Sequence, residues 1–232
     1  MLIGTPHQGD TDVAATTENV LAALAGTDFF WLDLDDTEPD DMVSELLRTH
    51  FGFHPLAVRA AERFSQRPRL DEYDGFAFLV ARGADPDQSG HAEVHCFWTD
   101  RYVVTVHRGD CAAIDQVRER VHRHPARQVA PEQVVIVYLV VGELVDSFFP
   151  YLSALDDRID ALEDEILKAP TEEQLDEIFH MKRTLIDARR LVTPRRDAMA
   201  SVKAGVADVP GMNDEAARYF RDLYDHLIRL ST

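Results

Sequence analysis

Cysteine is almost absent from this chain, with Cys96 and Cys111 the only two in 232 residues. Two cysteines build no disulfide framework, and their spacing makes no CxxC pair, so a reducing compartment such as the cytosol is expected. Positive charge is scarce as well: 42 Asp and Glu face 24 Lys and Arg, a formal charge of −18 with a pI near 4.8. A surface of that sign repels a phosphate backbone, so no nucleic-acid partner is expected. It suits divalent cations, or simple solubility.

Long hydrophobic runs are also lacking. The most apolar window, Val134 to Val141, is closed by Glu143 and Asp146 and falls well short of the roughly 20 residues of a membrane span. Met1 to Asp28 has no basic start and no apolar block, so no secretory signal is expected. The sequence contains no Walker loop, no Gly-x-Ser-x-Gly elbow and no His-Glu-x-x-His pair, and no enzyme is expected.

The hydrophobic share of 45% is enough for a sizeable core. Residues 1–20 read as frayed, with at most a short strand or helix. Phe29 to Leu34 predicts a buried strand, and Pro39 starts a helix through Met42, Val43, Leu46 and Leu47 that Gly52 ends. His54-Pro55 opens another helix reaching about Arg63. Phe76 to Val80, Glu93 to Thr99 and Tyr102 to His107 are strands, with a hairpin loop over Asp85 to Gly90 and a tight turn at Asp100-Arg101. Cys111 to His124 returns to helix. The first 125 residues thus predict an α/β module whose sheet is at least partly antiparallel.

From Pro131 onward the pattern is helical. Leu152, Leu155, Ile159, Leu162 and Ile166 step by three and four residues, the seam of one long helix laid on another. Pro150 is expected to kink this helix. Thr171 is an N-cap for a second helix running to about Ala204, and Asn213 caps a last one. Between Tyr151 and Glu177 there are ten acidic side chains against two basic, whereas Lys182 to Lys203 holds seven basic against two acidic. The acidic face is therefore expected to meet solvent or the basic returning arm.

Two constellations invite chemistry. Asp33-x-Asp35-x-Thr37 resembles the first motif of the haloacid-dehalogenase phosphatases, in which the first Asp is a phosphoryl nucleophile. That chemistry needs later carboxylates on strands, and no strand is predicted after about residue 107, so the run reads as a strand end and helix cap. His95, Cys96, His107 and Cys111 have zinc-ligand chemistry, but strand alternation puts His95 and Cys96 on opposite faces.

A set of short segments in fixed order resembles the cytoplasmic domain of the CorA family of magnesium transporters. They are Phe30-Trp31-Leu32-Asp33-Leu34, Phe51-Gly52-Phe53-His54-Pro55-Leu56, Gln66-Arg67-Pro68-Arg69-Leu70-Asp71-Glu72-Tyr73, Val103 to His107, Glu143 to Pro150, Leu162 to Leu167 and Tyr219 to His226. The resemblance implies an α+β chain: an αβα N-terminal domain with a mixed sheet over residues 1–128, a long antiparallel helical hairpin over 129–210, and over 211–232 the truncated start of a stalk helix. It implies a regulatory domain at the cytoplasmic face of the inner membrane, assembled as a homopentamer in the full-length protein, for transport of Mg²⁺ and also Co²⁺ or Ni²⁺. On this reading Thr232 precedes any membrane segment and the chain is a soluble fragment. The related ZntB-type zinc transporters, and a free-standing interaction protein of the same fold, are the alternatives.

The family holds regulatory Mg²⁺ between subunits on carboxylates. One falls on Asp222; the other matching positions hold Arg59, Ala60 and Gly142. Asp222, Asp225, Asp146 and Glu62 are the carboxylates left to hold the cation.

Overall fold

The computed structural model describes residues 2–4, 12–38, 41–84, 92–123, 131–168, 171–205 and 207–231. Seven strands form one mixed sheet in the order β2-β1-β3-β7-β6-β5-β4. They are β1 (Leu2–Gly4), β2 (Asp12–Val13), β3 (Phe30–Asp35), β4 (Arg69–Tyr73), β5 (Phe76–Arg82), β6 (Glu93–Trp98) and β7 (Tyr102–His107). Only β3 and β7 pair in parallel, with Asp33 opposite Thr105 and Asp35 opposite His107. The other five pairings are antiparallel. The Leu70–Ala84 segment splits into two strands at Asp74-Gly75, where Gly75 takes φ 79°, a conformation a residue with a side chain adopts at a cost. Residues 85–91, with the expected Asp85–Gly90 loop, lie outside the described residues, as do Pro39, His124 and Ala169-Pro170.

Strand alternation sorts the apolar side chains into two layers. On one face Phe30, Leu32, Phe78, Val80, Phe97 and Val104 meet α1 (Thr17–Ala25), the α2 segment (Met42–Glu45) with its π-helical continuation Leu46–His50, and α3 (Pro55–Ala61). On the other, Trp31, Leu79, Cys96, Trp98 and Val103 meet α4 (Ala112–Arg123), α5 (Glu132–Asp146), α7 (Glu172–Lys203) and α8 (Asp214–Ser231). Before residue 20 the short strand allowed for there is β1, which pairs with β3, and Thr16 caps α1 by accepting a bond from the Asn19 amide.

A stretch from Glu132 to Lys168 is long and apolar enough to cross a membrane, with mean hydropathy 1.7 over its best window. Its apolar half is α5, where Val134, Val137, Val140, Val141 and Leu144 are completely buried in the core against sheet and α8. That is the character of a core helix. The break after α5 falls at Ser147 rather than Pro150. Ser147 Oγ accepts from the Ala84 amide at 2.8 Å and donates to the Leu144 carbonyl at 2.9 Å, tying the chain to the end of β5. Pro150 sits in the first turn of α6 (Phe148–Lys168), where a missing N–H costs little.

The hairpin proper is α6 and α7. Thr171 and Gln174 close a capping box at the start of α7. Arg158 of α6 grips Glu177 of α7 through Nε and Nη2, at 2.6 and 2.7 Å. Asp156, Asp157, Asp160, Glu163 and Asp164 of α6 are exposed, so that face meets solvent.

Candidate functional site

The carboxylates singled out in the sequence divide between the two layers. α8 buries Ala216, Phe220, Leu223 and Leu227 at steps of four, three and four residues. Phe220 stacks on Trp98 with ring centroids 5.4 Å apart, which fixes the helix's rotation. Asp222 and Asp225 are thereby turned outward, and His226 lies half-buried beside them. α5 brings up Tyr138 and Asp146. Tyr138 Oη donates to Asp222 Oδ2 at 2.8 Å, and its ring meets Tyr219 edge-on. Burial first, then the hydrogen bond to Asp222, pushes the Tyr138 phenol up to about 12.

His226 stands between the two carboxylates. Its Nε2 is 3.8 Å from Asp222 Oδ1 and its Nδ1 3.9 Å from Asp146 Oδ1, too long for hydrogen bonds. Asp225 makes no ion pair among the described residues. Glu62, at the C-terminus of α3, belongs to the opposite layer, where Arg48 Nη2 reaches its Oε1 at 3.3 Å. One chain therefore gathers Asp146 and Asp222 on the α5–α8 surface and leaves Glu62 across the sheet.

Among the described residues no group of three or more His, Cys, Asp or Glu is placed to hold a metal. What Asp146 and Asp222 fit is a hydrated hard cation, because Mg²⁺ keeps several waters and commonly takes only one or two carboxylates. Gly142 lies one turn beyond Tyr138 on α5. A Cβ there would lie 3.8 Å from Leu223 Cδ2, an ordinary contact, so packing does not demand the glycine.

The phosphatase-like run resolves as structure. Asp33 is buried and accepts from Thr105 Oγ1 at 2.6 Å, Arg118 Nη2 at 3.1 Å and His107 Nε2 at 3.3 Å. Trp31 Nε1 in turn donates to Thr105 Oγ1 at 2.9 Å. Burial pushes the Asp33 carboxyl up, but the His107 bond and charge outweigh it and hold it below its ordinary value. For His107 burial works downward, and Asp33 outweighs it to hold the imidazole above its usual range. A carboxylate so enclosed has no path to a substrate. Asp35 accepts from Thr37 and from the Gly109 amide, which ties the end of β3 to the turn after β7; it caps no helix, because α2 begins at Met42 with Asp41 in the N-cap position.

The zinc constellation separates as alternation requires. His95 stacks on Phe64 in one layer while Cys96 lies in the other. Burial pushes the Cys96 thiol up, and that of Cys111 up to about 11, so neither is a thiolate at neutral pH. A second buried centre has no local motif to announce it: Glu93 accepts from the Ser65 and Gln66 amides and pairs with His95 and Arg82. Its only outward sign is a charged residue opening an apolar strand.

Residues 26–232 match the family model described as CorA-like Mg²⁺ transporter protein. The chain belongs to this family. Its members are transporters rather than enzymes, in keeping with the lack of an enzyme motif. One relative, "Putative metal ion transporter YfjQ" of Bacillus subtilis, is 33% identical over 205 residues, covering 88% of this chain and 63% of the relative. The cobalt/magnesium transport protein CorA of Thermotoga maritima is 28% identical over 218 residues, 92% of this chain and 61% of its own length. The chain thus spans about three-fifths of these curated relatives. Among solved structures, the soluble domain of CorA from Methanocaldococcus jannaschii superimposes with a TM-score of 0.76 at 19% identity, covering 99% of this chain and 88% of that one. The ZntB cytoplasmic domain of Vibrio parahaemolyticus gives 0.69 at 13% identity, over 88% and 80% of the two chains. At these identities the likeness is one of fold, and it bears out the αβα domain with long helices.

Proposed function

We propose that this chain is the cytoplasmic regulatory domain of a divalent-cation transporter. It would sit at the inner-membrane face of a homopentamer that moves Mg²⁺, with Co²⁺ or Ni²⁺ as further cargo. The observation that carries the regulatory part is the pairing of Asp146 and Asp222 on the α5–α8 surface. Two carboxylates on one surface repel each other, and a bound Mg²⁺ cancels that repulsion. Asp225 would add a further oxygen from the same helix. Glu62 lies in the opposite layer, so it would join such a site only from a second copy.

Thermal melting with and without Mg²⁺ tests this. Ligand at 100 times its Kd stabilises by about 2.7 kcal/mol, which for a chain of this size is an upward shift of about 5–10 °C. The shift is expected in the unmodified chain and is expected to vanish in Asp222→Ala. No shift, with Asp222→Ala equally silent, sinks the sensing role.

A ZntB-type zinc transporter is the second reading, favoured by one observation: Arg59, Ala60 and Gly142 stand where the magnesium transporters are expected to offer carboxylates. Cargo selectivity in uptake assays of the full-length protein separates the two.

A further inference from the structure

The buried histidine that ends β7 faces more acceptors than a neutral ring can serve. His107 turns Nδ1 to the Gly109 carbonyl at 2.8 Å and Nε2 to Asp33 Oδ2 at 3.3 Å. A neutral imidazole carries one N–H, so one of these two oxygens would meet a nitrogen lone pair. Only the imidazolium donates to both. Asp33 and His107 are both buried, so an unmet bond between them would be costly. His95 differs: its Nε2 faces Glu93 Oε1 at 2.8 Å and its Nδ1 has no partner among the described residues, so one ring proton serves it.

The charges around His107 act in both directions. β3 presents Asp33 and Asp35, which favour the charged ring. α4 presents Arg118, which opposes it but is itself held by Asp33 at 3.1 Å and Asp115 at 2.9 Å. In the turn after β7, Arg108 is paired with Asp36 and Asp110 is exposed. The thiols of Cys96 and Cys111, both near Asp33, stay uncharged. Burial works against the imidazolium, and the Asp33 bond and charge, the Gly109 carbonyl and Asp35 together outweigh it.

We propose that His107 is a pH switch in the turn between β7 and α4, clamping Gly109 to Asp33 while its ring carries two protons and releasing the turn when one leaves. The departing proton goes to solvent base, and the carboxylate of Asp33, the stronger acceptor, keeps the other on Nε2. The Gly109 carbonyl then faces a lone pair and loses its donor. Gly109 also donates its amide to Asp35 Oδ1 at 2.9 Å and Thr37 Oγ1 at 2.6 Å, so a loosened turn reaches the end of β3. Two residues on, the Cys111 carbonyl accepts from the Asp115 amide at 3.1 Å in the first turn of α4. Beyond it, Arg120 ties α4 to Glu143 of α5. The ring is held above its usual range, so the clamp is complete below about pH 6.5 and opens as pH rises through the higher folded value. The switch needs neither transport nor metal.

Proton–nitrogen NMR of the histidine rings, recorded on the whole chain from acid to alkaline pH, tests the first half. His107 is expected to keep protons on both ring nitrogens to a higher pH than a peptide histidine, which titrates near 6.5. A ring with a single proton throughout, or one that loses its second proton at or below the peptide value, overturns the proposal. Hydrogen exchange reads the second half. Protection of the Gly109 and Asp115 amides, corrected for intrinsic rate, should fall as His107 titrates, about tenfold further than that of β5 and β6, the worth of one hydrogen bond to a charged group. His107→Gln, with one carboxamide donor, should hold both amides at the lower protection with no step at the His107 titration. Should that variant not fold, the unmodified chain still decides the matter. Unchanged protection through the titration overturns the switch. So does a uniform loss across β5, β6 and α4, which would mark general destabilisation rather than a local release.

Discussion

Replacing Asp33 by alanine should be among the most damaging single changes in this chain. The carboxylate is buried where the parallel strands β3 and β7 meet, accepting from Thr105, Arg118 and His107. Removing it leaves the largely buried Arg118 with Asp115 alone and takes from His107 the carboxylate that holds its imidazole above the usual range. Breaking a buried pair from one side costs about 3–5 kcal/mol, which at about 2–4 °C per kcal/mol is a melting point lower by about 6–20 °C. The exposed Arg123–Glu119 pair is the control, and Glu119→Ala should cost less than about 0.5 kcal/mol. The pH profile gives a second readout. Asp33 is depressed, so its contribution is present above its unfolded pKa near 4 and is lost as pH falls through the lower folded value. His107 is raised, so its contribution is complete below about pH 6.5 and is lost as pH rises through the higher folded value. The unmodified chain should lose stability above pH 6.5, and Asp33→Ala should abolish that decline. A variant melting within about 2 °C of the parent, with the decline intact, refutes the account.

Three further outcomes follow from local geometry. Gly83→Ala places a Cβ 2.7 Å from Ser147 Oγ and 2.9 Å from Leu144 Cδ2, and the forced shift at the α5–α6 break should cost about 1–3 kcal/mol in chemical denaturation. Thr171→Ala removes the capping box of α7 and should cost about 1 kcal/mol, read as faster hydrogen exchange in the first turn of α7 with the sheet unchanged. Tyr138→Phe frees Asp222 Oδ2 from its donor and should enlarge the Mg²⁺-dependent melting shift, whereas a smaller shift would make Tyr138 part of the cation site.

Helices α5 to α8 were legible because their apolar spacing and caps are local properties. Thr171 and Asn213 cap as their positions suggest, with the Ala216 amide donating to Asn213 Oδ1 at 2.8 Å. The break at Ser147 was not legible, because it depends on a hydroxyl meeting an amide 63 residues away. Alternation alone separated His95 from Cys96. It could not reveal that Asp33 would lie beside Thr105, because that parallel register joins strands some 70 residues apart. Nor did opposite charge on the two hairpin arms imply contact between them. Val192 of α7 packs into the core, while Lys182, Arg183 and Arg189 are exposed.

The α5–α8 surface carries the strongest argument about regulation. A cation site between carboxylates works by relieving repulsion, so it requires carboxylates that nothing else satisfies. Here Gly142 supplies none although a Cβ there would meet only an ordinary contact, and Tyr138, one turn earlier, already donates a hydrogen bond to Asp222. That bond partly performs the cation's task without a cation. The remaining Asp222 oxygen faces His226, which also faces Asp146. The imidazole occupies the space between the two acids that Mg²⁺ would take, so any Mg²⁺-dependent melting shift of this domain should grow when His226 is replaced by alanine.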